Sequence, residues 1–328
     1  MIFSVAISGP TASGKTGLSL ELGERLSAEI ISADSMQIYK EMDIGTAKAT
    51  AEERGRAPHH LLDFVSPTEN YSVELYREAA VRCASDISSR GKLPLFVGGT
   101  GLYLDSLARA PLSRSPGSDP EFRERLLSGI KTEEDAVALW ERLRRLDPES
   151  AEKIHHNNVK RVIRALEICE STGLTKTELD RCSRSAASDI FVGRITLDFH
   201  SRELLYSRID RRVDIMLEEG LVGEVESLYK RGLLPEGSTA RQAIGYKEII
   251  EYLEGRCSLE SAAEIIKLSS RRYAKRQLTW FRHTEGAYTL YMDTEDGVMR
   301  PLAEVVAEAV LAVDELYARY SSQLCAKE

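Results

Sequence analysis

Residues 9–16 read GPTASGKT, directly after a short run of apolar and small residues, MIFSVAIS, at positions 1–8. Gly, four residues, Gly, Lys, Thr is the pattern of a phosphate-binding loop, and each fixed position has a physical task. Gly9 and Gly14 permit backbone angles and close approaches that a Cβ would block. The loop Gly9, Pro10, Thr11, Ala12, Ser13, Gly14, Lys15, Thr16 can therefore turn successive N–H groups toward phosphate oxygens. Lys15 adds a full positive charge. Thr16 offers a hydroxyl suited to Mg²⁺, which prefers oxygen ligands and keeps several waters. The leucines of GLSLELGERL, residues 17–26, have helical spacing, so a helix N-terminus aims its positive partial charge into the same loop. Strand, loop and helix in that order predict an α/β fold built on a parallel sheet.

Composition limits what else the chain can be. It has 328 residues, 42% hydrophobic and 29% charged, with a formal net charge of −8, the balance of a soluble globular protein. No global positive field draws it to nucleic acid or membrane, so any nucleic-acid site must be a local patch. Its five cysteines (Cys83, Cys169, Cys182, Cys257, Cys325) are scattered, which suggests neither a disulfide framework nor a zinc site and points to a reducing cytoplasm. MIFSVAIS reads as a first strand rather than a signal peptide. No apolar run approaches membrane-spanning length.

Further along, AEIISAD (residues 28–34) is a second strand that ends at Asp34 and Ser35. In a parallel sheet ligands sit beyond the carboxyl ends of the strands, which places Asp34 on the same rim as the phosphate loop; it could equally cap the next turn. SMQIYKEMDIGTAKAT, residues 35–50, reads as a substrate-facing loop carrying Gln37, Tyr39 and Lys48. His59 and His60 lack a third ligand at useful spacing and are expected to pack or hydrogen-bond within their loop. VELYREAAVRCASDISSRG reads as an amphipathic helix, and KLPLFVGG as a buried strand running into Thr100. That strand ends in glycines, where phosphoryl-transferring enzymes of this architecture commonly carry a metal-binding acid.

From residue 111 to 189 strands give way to helical runs, predicting a helical insertion between core segments 1–110 and 190–328. Within it Lys160 and Arg164 share a face, either as solvated surface or as a binding patch. IFVGRITLDF restores a strand. Arg208 and Arg212, one helical turn apart, could clamp a diphosphate or pair with Glu203, Asp210 or Asp214. Residues 267–282 hold Lys267, Arg271, Arg272, Lys275, Arg276 and Arg282 without an acid, interleaved with Tyr273, Trp280 and Phe281. This suits either a nucleic-acid backbone or an amphipathic helix with its aromatics in the core.

Together GPTASGKT, ADSMQIYK, MDIGTAK, PHHLLDFVSPTENYSV, VGGTGLYL, RQAIGYKE and YAKRQLTWFR, in this order over most of the chain, resemble the bacterial tRNA dimethylallyltransferase family, also called tRNA isopentenyltransferases. Phosphate loops occur in many families; the joint order of these blocks is specific. The resemblance implies a P-loop NTPase-like parallel sheet flanked by helices. It implies transfer of a dimethylallyl group from dimethylallyl diphosphate to N6 of adenosine 37, next to the anticodon, in tRNAs reading codons that begin with U, with release of diphosphate. A loop usually associated with nucleotides and ATP would then hold the leaving group with Lys15, Thr16 and Mg²⁺. Asp34 corresponds to a general base at the adenine amine, Thr100 to a contact on the adenine or diphosphate side, and Arg212, assisted by Arg208, to neutralisation of the diphosphate. The same resemblance assigns tRNA contacts to Asp34, Ser35, Met36, Gln37, Thr100 and Arg123. It adds the run Lys160, Arg161, Val162, Ile163, Arg164 and the run Arg241, Gln242, Ala243, Ile244, Gly245, Tyr246. Ala49 stands where relatives usually have proline, and His156, Asn157, Asn158 where they are closer to Pro, Asn, Asp.

The expected partners are a tRNA anticodon stem-loop, whose target base must leave its stack, and dimethylallyl diphosphate; a monomer is expected. Two alternatives in the same architecture are a small-molecule kinase, which would transfer the γ-phosphate of ATP, and an isopentenyltransferase acting on free adenine nucleotide. A nucleotide-gated RNA-binding protein without transferase activity is a third.

Overall fold

The computed structural model describes residues 1–108, 119–185 and 188–325. In chain order the first half of the core holds β1 (Ile2–Ser8), α1 (Lys15–Arg25), β2 (Ala28–Ser32), α2 (Ala51–Arg56), β3 (His59–His60), α3 (Val73–Ser89), β4 (Leu93–Gly98) and α4 (Gly101–Leu107). Five helices follow: α5 (Pro120–Ser128), α6 (Glu133–Leu146), α7 (Pro148–Lys153), α8 (Val159–Thr172) and α9 (Lys176–Ser185). The core resumes with β5 (Ile190–Asp198), α10 (Arg202–Glu218), α11 (Leu221–Lys230), α12 (Tyr246–Leu253), α13 (Leu259–Arg282), β6 (Tyr288–Tyr291) and α14 (Leu302–Cys325). The chain forms two compact units, one of Met1–Leu107 with Ile190–Glu328 and one of Ala108–Asp189. No helix among the described residues is long and apolar enough to cross a membrane.

In the first unit the strands form one sheet of order β3-β2-β4-β1-β5-β6, and every pairing between them is parallel. The central strands read as near-continuous apolar runs because a parallel sheet is covered on both faces. One face packs Leu18, Leu22, Ile195, Leu205 and Val306 from the sheet, α1, α10 and α14. The other packs Tyr76, Ala80, Phe96 and Leu104 from the sheet, α3 and α4. The registers Ser8↔Gly98, Ser8↔Thr196 and Ser32↔Val97 bring the carboxyl ends of β1, β2, β4 and β5 to one edge, where the phosphate loop and Asp34 follow their strands.

Local chemistry refines the sequence reading at several places. Residues 202–230 form two helices, parted at Gly220 (φ 103°). Polar residues 51–56 form α2, because Thr50 and Glu53 make a reciprocal capping box. His59 and His60 are a two-residue strand on the sheet edge, and His60 Nε2 meets Glu29 Oε2 at 2.8 Å. β6, short and preceded by Gly286, carries no alternation strong enough to stand out.

The second unit is helical. Phe122, Leu143, Ile154, Val162 and Leu166 form its core. The run at residues 133–154 is broken by Pro148, which occupies the first turn of α7 while Asp147 caps it by accepting from Ser150 N at 3.1 Å. Trp140 Nε1 donates to Ile154 O at 2.7 Å and Ala151 O at 3.1 Å, tying α6 to α7. Residues 111–118 and 186–187 of the expected insertion lie outside the described residues.

Candidate active site

Gly14 takes φ 92° where the phosphate loop enters α1, a left-handed angle that an L side chain would strain. Lys15 follows, and its Nζ donates to two carbonyls of its own loop, Pro10 O at 2.6 Å and Gly9 O at 3.0 Å. Its side chain keeps some exposure, but the ammonium is enclosed by protein. That desolvation, reinforced by the Arg212 charge and opposed by Asp34, lowers its pKa to about 7. Beside it, Ser13 Oγ is buried with no hydrogen-bond partner among the described residues. Thr16, in the first turn of α1, is exposed.

α10 brings two arginines to this loop. Arg208 Nε donates to Ala12 O at 3.0 Å. Arg212 makes no hydrogen bond or ion pair within the described residues; burial chiefly, with the Arg208 charge, pulls its pKa down against the attraction of Asp34. The acids that could have paired with these arginines face elsewhere. Asp210 holds Arg271 at 2.5 Å and Asp214 holds Lys267 at 2.7 Å. The pairing of these arginines with acids of α10 therefore does not form among the described residues.

Asp34 lies past the end of β2. Its Oδ1 accepts Met36 N at 2.9 Å, the turn-forming bond considered from sequence. Thr100, past the end of β4, ties the two loops together: its Oγ1 accepts Ser35 N at 3.0 Å, and its own N–H donates to Ala33 O at 3.2 Å. The strands approach so closely that a Cβ on Gly98 would sit 2.1 Å from Ala33 O.

Sequence reasoning missed two residues of α13. Gln277, 5% exposed, accepts Thr11 N at 2.9 Å through Oε1 and donates to Gly99 O at 2.9 Å through Nε2. Tyr273, one turn earlier, has its phenol pKa pushed up to about 12 by burial and by the Asp34 charge, against hydrogen bonding to the Thr100 and Gln277 side chains. The available signal was their spacing: Tyr273, Gln277 and Trp280 fall at i, i+4 and i+7, one face of a helix. Trp280 completes it by donating to Asp105 Oδ2 at 3.0 Å.

The basic stretch of α13 is only partly uncompensated. Besides Lys267 and Arg271, Arg282 pairs with Asp198 at 3.1 Å. Arg272, Lys275 and Arg276 remain exposed without an ion pair among the described residues.

The loop after β2 is a built structure more than an open one. Glu224 accepts Asp43 N, Ile44 N and Gly45 N at 2.9, 2.8 and 3.1 Å, and Tyr246 Oη donates to it at 2.5 Å. Lys48 is buried, donating to Tyr39 O and Asp43 at 2.7 Å each and to Asp63. Gln37 donates to Thr46 O and Ala47 O at 3.2 Å each. Tyr39, expected to face substrate, is thus interior, while Lys48 is buried but borders the pocket beside this loop. A pocket of about 640 Å³ opens beside this loop, with Thr16, Ile44, Arg212, Ile215 and Met216 among its lining residues.

The expected tRNA-contacting residues divide similarly. Ser35 and Met36 keep partial exposure, and Gln242, Lys160 and Arg161 are exposed. Val162, Ile163, Ala243 and Tyr246 are buried, at 0, 3, 6 and 0% exposure, and Gly245 is buried with them while Ile244 packs against the same core. A surface role for the side chains of these four residues is corrected to an interior one: Val162 and Ile163 lie on the buried face of α8, Tyr246 on that of α12, and Ala243 in the turn before α12. Arg123 and Arg164 both pair with buried Glu167, at 2.8 and 2.7 Å. Arg241 is held by Leu234 O at 3.1 Å and Glu254 at 3.6 Å, stacked over Tyr229.

The IPP transferase family model matches residues 37–284, and the isopentenyl transferase model matches residues 3–60. The tRNA dimethylallyltransferase of Bacillus velezensis is 49% identical over 280 residues, 85% of this chain and 87% of its own length. That of Acetivibrio thermocellus is 48% identical over 295 residues, 89% and 92% of the two chains. Among solved structures, the full-length tRNA isopentenylpyrophosphate transferase of Bacillus halodurans covers 98% of this chain and 100% of its own at 39% identity and TM-score 0.67. A eukaryotic dimethylallyltransferase acting on tRNA covers 89% of this chain and 74% of its own at 31% identity and TM-score 0.76. A phosphate loop, a strand-end carboxylate and an arginine helix in this order, with these relatives over most of its length, make the chain a member of the tRNA dimethylallyltransferase family.

Proposed function

We propose that this protein transfers a dimethylallyl group from dimethylallyl diphosphate to N6 of adenosine 37 of tRNAs reading codons that begin with U, releasing diphosphate. One observation carries the reading. Lys15, bonded only to carbonyls, and Arg212, bonded to nothing described, are two desolvated cations electrostatically coupled to one carboxylate, Asp34. A desolvated cation without a counter-ion is costly, and a diphosphate supplies the missing anion while leaving Asp34 free to face an amine.

The chemistry then divides along the site. The adenine N6 lone pair forms a bond to the allylic carbon as the carbon–oxygen bond to diphosphate breaks. Lys15, Arg212 and the loop N–H groups stabilise charge gathering on the leaving oxygens, which is where such groups lower a barrier. Asp34 takes the proton that the amine sheds, and Thr100 holds the loop that carries it. Mg²⁺ fits this donor set only as a co-ligand of the diphosphate: Thr16 contributes a hydroxyl, and no group of three or more His, Cys, Asp or Glu able to hold a metal exists among the described residues. When bound it supplies further neutralisation of the leaving group. Lys160, Arg161 and Gln242, exposed on their own units, and Arg272, Lys275 and Arg276 on α13, are the side chains offered for RNA phosphates.

The test is a transfer assay with dimethylallyl diphosphate and Mg²⁺, comparing an anticodon stem-loop carrying A37, the same stem-loop carrying G37, and free AMP. Prenylation of the A37 RNA alone supports the reading. Prenylation of AMP in preference to RNA replaces the substrate, and no transfer by folded protein ends it.

A further inference from the structure

We propose that Gln277 is a positioning residue that fixes the separation between the diphosphate cradle and the amine-facing loops, an inference that rests on the transfer reaction above. Its carboxamide lies between two backbone groups whose polarity leaves no choice of orientation. Thr11 N can only donate, to Oε1 at 2.9 Å, and Gly99 O can only accept, from Nε2 at 2.9 Å. Thr11 belongs to the phosphate loop. Gly99 directly precedes Thr100, whose Oγ1 holds Ser35, the neighbour of Asp34. One buried side chain thus joins the segment that holds the leaving group to the segment that holds the base.

The joint is tight on both sides. A Cβ on Gly99 would sit 2.2 Å from Gln277 Nε2, so the glycine exists where the amide makes its closest approach. Gln277 is 5% exposed and lies on a long helix whose neighbouring residues Ala274, Leu278 and Phe281 are core. The amide is therefore anchored to a rigid element and does not ride with either loop. Tyr273, on the same face one turn away, lies beside the side chains of Gln277 and Thr100. Transfer between a bound electrophile and a bound amine depends on their distance far more steeply than the binding of either. Loss of the bridge should consequently appear in turnover.

Gln277→Glu keeps the shape and the acceptor toward Thr11 N while turning a second acceptor toward Gly99 O. Single-turnover transfer to the A37 stem-loop should fall on the order of 10- to 100-fold, while the dissociation constants for inorganic diphosphate and for the stem-loop stay within about threefold. Gly99→Ala, which presses on the same amide without altering Gln277, should give the same split and serves if the first variant does not fold. Unchanged turnover in a folded variant, or a loss matched by weakened diphosphate or RNA binding, overturns the proposal. Inactive wild-type protein in the same assay overturns the transfer reading and this proposal with it; active wild type with unaffected variants overturns this proposal alone.

Discussion

Thr100 Oγ1 accepts the backbone N–H of Ser35 at 3.0 Å, and the same hydroxyl donates to Ser35 Oγ at 3.3 Å. A side chain at the end of β4 thereby fixes the backbone next to Asp34 at the end of β2, so on the proposed mechanism Thr100 would act on Asp34 through its loop. Thr100→Val removes both bonds at nearly constant volume. We expect about 1 kcal/mol lower stability and transfer lowered roughly fivefold or more, with Thr100→Ser restoring both. Denaturant unfolding and initial rates on the three proteins check this.

If Lys15 holds the diphosphate as proposed, binding should be linked to protons. Its pKa is about 7 in the protein against about 10.4 in an unfolded chain. Below pH 7 both states carry the charge and the folded one bears its full desolvation. Between those values the unfolded state binds more protons, so the free energy of unfolding rises with pH. A bound diphosphate stabilises the ammonium, and at pH 8 its binding should take up protons. Titration calorimetry in buffers of different ionisation enthalpy should show uptake at pH 8 and little at pH 6. Lys15→Met should raise the melting temperature of the ligand-free protein at pH 6 and abolish stabilisation by diphosphate.

Glu224 organises residues 43–45 by accepting three backbone N–H groups and the Tyr246 hydroxyl. Glu224→Ala strands those donors. A loss of about 3 kcal/mol is expected, since bonds to a charged acceptor are worth roughly 1.5–3 kcal/mol each and the freed groups are partly rehydrated. Hydrogen exchange should quicken selectively at Ile44 and Gly45, and KM for dimethylallyl diphosphate should rise because this loop borders the pocket beside Thr16 and Arg212.

In the helical unit, burial alone would push the Glu167 carboxyl up, and its bonds to Arg123 and Arg164 outweigh this and hold it below the usual range. A depressed carboxylate contributes stability above its unfolded pKa, near 4, and loses it as pH falls further. Glu167→Gln should cost about 2 kcal/mol, less than a fully buried pair because both arginines are partly exposed, and should remove that part of the acid sensitivity. Melting curves of wild type and variant between pH 3 and 7 check both statements.

These cases also show what the sequence could disclose. GPTASGKT specifies its own conformation through glycine positions and a following helix, and the strand-end location of Asp34 and Thr100 follows from the parallel sheet. Such features are local or topological. The roles of Gln277, Tyr273 and Glu224 depend on α11 and α13 arriving beside loops some two hundred residues earlier in the chain, and nothing near them in sequence announces that meeting. The charge of α13 misleads for the same reason: its stretch holds no acid of its own, while Asp198, Asp210 and Asp214 reach it from β5 and α10. Lys48 is expected to face substrate and Arg123 and Arg241 to contact tRNA, and only the fold shows the acids Asp43, Asp63, Glu167 and Glu254 that hold them.

A phosphate loop that holds a departing diphosphate must yield both products of one reaction together, so prenylated stem-loop and released diphosphate are followed side by side, with radiolabelled ATP present in a parallel sample. One diphosphate is expected for each prenylated adenosine, both lost together in Lys15→Met and Arg212→Met, and no phosphate released from ATP. RNA-dependent release of the γ-phosphate of ATP, or prenylated RNA that persists in those two variants, would contradict it.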